Sequence, residues 1–355
     1  MSKTFRYNIS LLRVFALIMV VLGHTLMYDS PVMLGVYKII YSFHIPLFVF
    51  VSGYLFIDSQ TRIQKEFVSI FINRFKRLII PCFIVALLWI IPSHIFITRD
   101  LGSSFSEIWV KIIDILSGNV EHLWFLLMLF WTTIIFYPLS LFFKSKYAPF
   151  AIPLIGIVLA WIFVNTSLYT LPNFYSISQV SKYLFYFYMG AVLCEYREKI
   201  DVTIRGNPLL TVFILGLLVW NSQLYILANF DTYVGAWFII SHLKAYFVVS
   251  TITILFLYAV AVSIEHIFKT FFERSKVISF LDKESLGIYY FHIQMGTIVI
   301  PLINKIKFQL TVFNKICILF FSMILLSSIM IIVYRKIRMR LRHINRNSNT
   351  SIDLN

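Results

Sequence analysis

Apolar runs of about 20 residues recur along nearly the whole chain, and this feature limits the possible folds more than any other. A run of about 20 apolar residues is what an α-helix needs to cross the hydrocarbon core of a bilayer. The mean hydropathy is +0.83. Only 13% of the residues are charged, about half the share of a soluble domain. The sequence therefore predicts an all-α polytopic integral membrane protein.

The hydropathy pattern predicts about ten transmembrane helices in one membrane domain, residues 1–340, followed by a basic and polar cytoplasmic tail, 341–355. The predicted spans are 11–28, 35–57, 78–97, 123–143, 148–166, 183–196, 208–228, 244–266, 286–303 and 312–334. Residues 98–121 contain an amphipathic stretch that we expect on the outer interface, and 233–243 an interfacial or re-entrant lead-in. Lysine and arginine concentrate in alternate loops and at both ends, which places both termini in the cytoplasm.

The net charge of +15 could indicate nucleic-acid binding, but its distribution argues against that class. Basic residues in alternate loops are typical of membrane orientation, and they suit anionic lipid headgroups or the phosphates of a cytoplasmic cofactor. The three cysteines have no paired spacing. They specify neither a disulfide nor a metal site, and we expect them to pack in the core.

The first span, 11–28, contains Arg13 and His24. A central arginine costs about 2.5–3.5 kcal/mol on insertion scales. Eleven residues at about 100° each are close to three whole turns, so both side chains share one helix face, about 16 Å apart along the axis. Arg13 is expected in the inner leaflet and His24 at or above the midplane. This polar stripe predicts a functional site.

Two further histidines fall within predicted spans. His44, in the second span, is expected at a depth similar to that of His24, and His292 in the inner half of the ninth span. The alternative for any one of them is a hydrogen bond that bridges two helices. All sixteen acidic residues fall in loops, tails or helix ends by these boundaries. Because ion-coupled carriers usually keep a carboxylate in mid-membrane, that class loses support. A hydroxyl or a backbone carbonyl is left to orient His24.

Two short motifs flank the spans. In NRFKRLIIP, 73–81, Arg74 and Arg77 share a face at a helix start, where backbone N–H groups also point towards anions. The alternative is a positive-inside anchor. In HLWFL, 122–126, the tryptophan is typical of an aromatic belt, although such rings also form platforms for sugar faces.

Together these motifs resemble the membrane acyltransferase-3 family, and in particular its fucose 4-O-acetylase-like branch, which includes acetyltransferases of O-antigen and surface polysaccharide. The residues that support the resemblance are Arg13 and His24 with ten residues between them, FHIPLFVFVSGYLF at 43–56, NRFKRLIIP at 73–81, HLWFL at 122–126 and LGIYYFH at 286–292. They span almost the entire chain. Many members also have an extra-membrane esterase-like domain, which this sequence does not show, so direct delivery to the acceptor is expected.

The resemblance implies transfer of an acyl group, usually acetyl, from cytoplasmic acyl-coenzyme A to a hydroxyl of a cell-surface glycan or its lipid-linked precursor. His24 would act as general base or transient acyl acceptor, and Arg13 would guide the donor or polarise the thioester. The acyl-coenzyme A phosphates would bind Arg74, Lys76 and Arg77. Residues expected to orient the site or face the acceptor are His44, Ser52, His122, Trp124, Tyr290 and His292.

The remaining expectations follow from this reading. Acetyl-coenzyme A is a co-substrate, and no tightly bound cofactor or metal is expected. The partners are the glycan acceptor and membrane lipids, in a bacterial plasma membrane. The main alternative is a glycan or lipid exporter, or flippase, without acyl-transfer chemistry. A purely structural membrane subunit is disfavoured by the cost of Arg13.

Overall fold

A computed structural model describes residues 7–27, 34–62, 66–98, 104–165, 174–229, 243–305 and 310–352. The described chain is helical nearly throughout. Its α-helices are α1 (Tyr7–Leu26), α2 (Leu34–Tyr41), α3 (His44–Arg62), α4 (Phe67–Thr98), α5 (Phe105–Leu116), α6 (Trp124–Leu141), α7 (Ala148–Asn165), α8 (Val180–Glu195), α9 (Arg197–Gly206), α10 (Pro208–Asn229), α11 (Leu243–Arg274), α12 (Lys276–Asn304) and α13 (Val312–Ile352). Short 3₁₀ turns cover Glu121–Leu123, Phe142–Lys144 and Phe174–Gln179.

Eight stretches of the described chain are long and apolar enough to cross a membrane. They are Tyr7–Leu26, Leu34–Ser59, Phe67–Ile97, Phe105–Lys144, Pro208–Ala228, Lys244–Glu265, Lys276–Asn304 and Val312–Ile337. Helix α7 contains a shorter apolar stretch, Ala148–Phe163, and α8 has 16 residues. The chain is therefore a multi-pass helical membrane protein, and the count of ten spans remains a prediction.

The second and third predicted spans have different limits in the structure. The second is interrupted between α2 and α3, where residues 42–43 form a turn. The third begins at Phe67, and α4 alternates α-helical stretches with three π-helical turns, Phe75–Ile79, Ala86–Ile90 and His94–Thr98. The predicted lead-in, 233–243, lies outside the described residues, apart from residue 243, which opens α11.

The ninth span was predicted too short. Helix α12 begins at Lys276 rather than at 286, and the Ser275 side chain caps it by accepting a hydrogen bond from the Ile278 backbone N–H. Asp282 and Glu284 are therefore buried within a membrane helix, 5% and 6% exposed, and do not lie in a loop. The prediction that every carboxylate falls in a loop, tail or helix end is wrong for these two residues.

Two contacts fix the relative direction of α1 and α12. Arg13 pairs with Asp282 near the beginning of both helices, and the rings of His24 and His292 lie 5.1 Å apart further along both. The two helices therefore run parallel and in register. Helix α13 runs the opposite way, because its Arg335 pairs with Glu284 near the start of α12. The start of α1 and the second half of α13 thus lie at the same end of the bundle, while the side of the membrane they face remains a prediction.

A close crossing joins α3 and α8. A Cβ atom at Gly53 would collide with the backbone carbonyl of Phe187, and one at Gly190 with that of Phe50. Small residues are what allow membrane helices to approach this closely. The crossing holds α3, which contains His44 and Ser52, against the centre of the bundle.

Helix α5 is the amphipathic segment predicted within 98–121. It exposes large apolar side chains, including Phe105 at 81% and Trp109 at 52%. Residues 117–123 separate it from α6. This exposure matches a helix that lies in the membrane interface.

Candidate active site

A basic cavity of about 250 Å³ opens between α1, α3, α4 and α12. Its polar lining consists of Arg13, Ser52, Ser59, Asn73, Arg74, Arg77 and Ser285. Leu55, Leu78 and Leu286 contribute to its apolar wall. The cavity therefore joins Arg13 of the first span to the two arginines of the 73–81 motif, which the sequence placed apart.

Asp282 fixes the orientation of Arg13. The Arg13 Nε donates to Asp282 Oδ1 at 2.6 Å, and Nη2 lies 2.5 Å from Oδ2. Ser10 Oγ also donates to Oδ2, at 3.2 Å. The Arg13 side chain keeps 25% of its surface exposed. A two-pronged pair of this kind sets the guanidinium plane and leaves its other edge free for a ligand in the cavity.

The other predicted donor-side cations differ from one another. Arg74 and Arg77 both line the cavity, whereas Lys76 is not part of its wall; Lys76 and Arg77 are both exposed. The π-helical turn Phe75–Ile79 separates Arg74 from the next α-helical stretch. Such turns often occur at functional sites. Tyr290 holds this segment in place, since its hydroxyl donates to the Arg77 carbonyl at 2.6 Å.

Four histidines gather further along α1. The His24 ring lies 5.1 Å from that of His292, which in turn lies 6.3 Å from that of His122. Tyr41 links His24 to His44, at ring distances of 6.4 and 4.5 Å. His24 and His44 therefore share a contact with Tyr41, while their depth in the membrane remains a prediction. His292 lies beside His24, near the middle of α12, and the leaflet it occupies remains a prediction.

Hydrogen bonds hold three of the four rings. Nδ1 of His44 lies 2.8 Å from the Ile40 carbonyl, and Nδ1 of His292 lies 2.8 Å from the Tyr289 carbonyl. Because a carbonyl only accepts, both Nδ1 atoms carry a proton. His122 Nε2 meets the Gln294 side-chain amide at 2.8 Å. In the described part of the chain His24 has ring contacts but no hydrogen bond, and it is partly exposed.

Two polar atoms in this cluster are buried without a hydrogen-bond partner: Nε2 of His292 and Oε1 of Gln294. Buried polar atoms are normally paired. His292, whose ring lies 5.1 Å from that of His24 and whose Nε2 has no partner among the described residues, therefore marks a place where a polar ligand or a proton carrier would complete the site.

An aromatic layer separates the cavity from the histidines. Phe48, which lines the cavity, has its ring 5.6 Å from that of Phe125 and 6.4 Å from that of Tyr289. The rings of Phe125 and Tyr289 are 5.3 Å apart. Tyr289 then reaches the His292 ring at 5.4 Å, and its hydroxyl donates to the His122 carbonyl at 2.7 Å. Three aromatic rings thus lie between the cavity and the histidine cluster.

Two predicted residues lie away from His24. Ser52 lines the cavity, and its hydroxyl donates to the Phe48 carbonyl. Trp124 is partly exposed and packs against Tyr183, with ring centres 5.9 Å apart. The structure brings His44, His122 and His292 together around His24. It places Ser52 and Tyr290 on the cavity side, and Trp124 on the other side of the aromatic layer.

The sequence reasoning missed Asp282 and Gln294. The signal for Asp282 was present: Ser275 as a cap, followed by apolar residues at 277, 278 and 281, predicts a helix that starts before 286. The charged residues that follow, Asp282, Lys283 and Glu284, favoured a loop instead. Gln294 had no signal, because its partner His122 is 172 positions away.

The apolar helices define a multi-pass membrane protein with a basic cavity and a histidine cluster among its helices. A family model described as an acyltransferase domain, acyltransferase-3, matches residues 6–332. The chain therefore belongs to the acyltransferase-3 family, and the coarser part of the resemblance is confirmed. No curated protein and no solved structure matches the chain.

Proposed function

We propose that the protein is a membrane O-acyltransferase that moves an acyl group, usually acetyl, from cytoplasmic acyl-coenzyme A to a hydroxyl of a surface glycan or its lipid-linked precursor. Membership of the acyltransferase-3 family supports the acyltransferase class. The observation that carries the rest is the position of His24. It has no hydrogen bond in the described chain and lies in register above Arg13, which borders the basic cavity.

The cavity suits the donor. Arg13, Arg74 and Arg77 face a space of about 250 Å³ whose remaining lining is hydroxyl, amide and apolar. Guanidinium groups bind phosphates with two parallel hydrogen bonds. We assign the coenzyme A phosphates to Arg74 and Arg77, and the thioester end to the region of Arg13. Lys76, being exposed and outside the cavity wall, is given no direct contact.

The histidine cluster suits the chemistry of acyl transfer. A hydroxyl is a weak nucleophile at neutral pH, and histidine is the side chain whose ordinary pKa matches the task of a base there. His24 takes the proton of the acceptor hydroxyl while the hydroxyl oxygen bonds to the acyl carbon. The carbon–sulfur bond breaks, and the coenzyme A thiolate receives the proton. Alternatively, His24 first accepts the acyl group and passes it to the hydroxyl.

The transfer requires the thioester to pass the aromatic layer. The aromatic layer lies between the cavity and the histidine cluster. Its side chains must move before the acyl group reaches His24, either on their own or because the arm of the donor displaces them. Side-chain rearrangement and local opening of this kind occur in the nanosecond to millisecond range. The closed layer also excludes water from the thioester between turnovers.

The test is acyl transfer by a His24→Gln variant in membranes supplied with labelled acetyl-coenzyme A. Loss of a general base costs about 10²- to 10⁴-fold in rate, and we expect a loss in this range. His94→Gln is the comparison variant: His94 pairs with Glu121, the residue next to His122, so this change removes an imidazole near the cluster while His24 is kept. Transfer within threefold of the unmodified protein by His24→Gln would refute the role.

A second measurement separates the two roles of His24. In a rapid acid quench with labelled acetyl-coenzyme A and no acceptor, label on the protein that is absent from His24→Gln supports a covalent intermediate. Absence of label in both, with transfer intact in the unmodified protein, supports the base.

The exporter alternative predicts another outcome. Movement of a labelled lipid-linked sugar across the membrane without any acetyl-coenzyme A would favour it. The rings of Phe48, Phe125 and Tyr289 meet between the cavity and the histidine cluster. This closed contact favours transfer of a small group over passage of a glycan.

A further inference from the structure

Lys38 of α2 is a buried cation for which the described residues supply no opposite charge. It is 6% exposed. Five side chains of Asp, Glu, Lys or Arg type are buried among the described residues: Lys38, Asp58, Lys182, Asp282 and Glu284. Four of them have partners. Asp58 lies near Arg197, Asp282 and Glu284 pair with arginines, and Lys182 donates to Gln179 at 3.2 Å.

Lys38 is the exception. Within the described chain its ammonium has no carboxylate partner and no hydrogen bond; only its backbone carbonyl is engaged, by the Ser42 N–H. Its Nζ is not among the fully enclosed polar atoms, so the ammonium reaches an opening. A buried charge without a partner is costly. Such a group is retained at little net cost when a ligand of opposite charge offsets it.

The position of Lys38 indicates which ligand that is. Lys38 and Tyr41 are three residues apart on α2, so they share a side of the helix. Tyr41 contacts both His24 and His44. Along this segment the order is Lys38, Tyr41, His44 and then Ser52, which lines the donor cavity. Lys38 therefore lies beyond the histidines from the donor cavity, on the side from which an acceptor would approach.

We propose that Lys38 binds an anionic group of the acceptor, a carboxylate or a phosphate, so that the preferred acceptor is an acidic glycan or a sugar linked to a lipid phosphate. This inference rests on the proposed function. A lysine ammonium is a compact point charge that suits either oxyanion. The anion would hold the acceptor with its hydroxyl towards His24.

Thermal stability of the purified protein tests the inference without any activity. Lys38→Met removes an uncompensated buried charge and keeps the length of the side chain. We expect its unfolding temperature to be equal to or higher than that of the unmodified protein. Lys182→Met is the matched control, because it removes a paired buried lysine, and its unfolding temperature should fall. A fall for Lys38→Met as large as that for Lys182→Met would overturn the inference, since it would mean that a partner within the chain holds Lys38.

Acceptor preference tests the ligand. A glucuronate-containing oligosaccharide, its methyl ester and a prenyl-diphosphate-linked neutral oligosaccharide are compared with labelled acetyl-coenzyme A as donor. We expect Lys38→Met to lower the ratio of kcat/KM for the acid to that for its ester at least tenfold. If the ratio for the lipid-linked sugar to the same free sugar falls instead, the anion is the lipid phosphate.

The outcomes are distinguishable. If neither ratio changes while transfer proceeds, the inference is wrong and the proposed function stands. If the unmodified protein transfers acetyl to none of the three acceptors, the proposed function fails, and the acceptor assignment fails with it.

Discussion

The pairing of Arg13 with Asp282 gives the most specific prediction, because one substitution removes it with almost no change of shape. Asp282→Asn keeps the volume of the side chain and one oxygen. It replaces the other oxygen, which faces Arg13 Nη2 at 2.5 Å and Ser10 Oγ at 3.2 Å, with an amide that cannot accept. The bond from Arg13 Nε to the remaining oxygen can persist.

The size of the effect follows from these contacts. Breaking a buried ion pair by removing one partner costs about 3–5 kcal/mol. Arg13 is 25% exposed, and one of its two bonds to the aspartate can remain, so about 2–3 kcal/mol is the expected cost of holding the guanidinium in place. At about 1.4 kcal/mol per factor of ten, this corresponds to a loss of about 30- to 150-fold in acyl transfer.

The assay is acetyl transfer per mole of folded protein in membranes, with Glu284→Gln as the matched control. Glu284 lies on the same helix and is equally buried, but its partner Arg335 lies on α13, away from the cavity lining. We expect the control to retain activity within threefold. Arg13→Ala and the double variant complete a cycle.

In that cycle, Asp282→Asn should add less than threefold to the loss caused by Arg13→Ala, because both act through the same guanidinium. Independent, multiplicative losses would refute the reasoning. So would Asp282→Asn activity within threefold of the unmodified protein.

Two further predictions test the donor cavity and the packing. Alanine at Arg74 and Arg77 together should raise the KM for acetyl-coenzyme A at least tenfold, since both line the cavity, whereas alanine at the exposed Lys76 should change it less than threefold; an equal change from Lys76 would refute the assignment. Gly53→Ala should lower the unfolding temperature in detergent by several degrees, because the added methyl group meets a backbone carbonyl. Gly216→Ala should have little effect, because its methyl group meets only the edge of a phenylalanine ring at 3.4 Å. Equal stability of the two glycine variants would contradict the close crossing.

The sequence predicted the membrane class and the central polar stripe for a clear physical reason. Apolar length and the 3.6-residue period are local properties of a sequence. They are sufficient to place Arg13 and His24 on one face, about 16 Å apart along the helix axis. The structure agrees, since both side chains contact α12, at Asp282 and at His292.

What escaped prediction depends on contacts between distant segments. Asp282 looks like a loop residue until Arg13, 269 positions away, is placed opposite it. The same holds for the link between His122 and Gln294, and for the turn at residues 42–43 that lets Tyr41 reach both His24 and His44. No local pattern encodes these pairings. Helix limits near charged residues are uncertain for a related reason, because a buried partner can draw a charged turn into the membrane.

The aromatic layer of Phe48, Phe125 and Tyr289 has a consequence for the cell as well as for the enzyme. The basic cavity lies on one side of this layer and the histidine cluster on the other. If water joined them, they would form a path for protons and small ions. Hydrophobic constrictions stop such conduction by excluding water. Rings in contact at 5.3 to 6.4 Å provide that constriction. If the proposed transfer takes place here, these rings would let the acyl group cross while the membrane keeps its electrical potential.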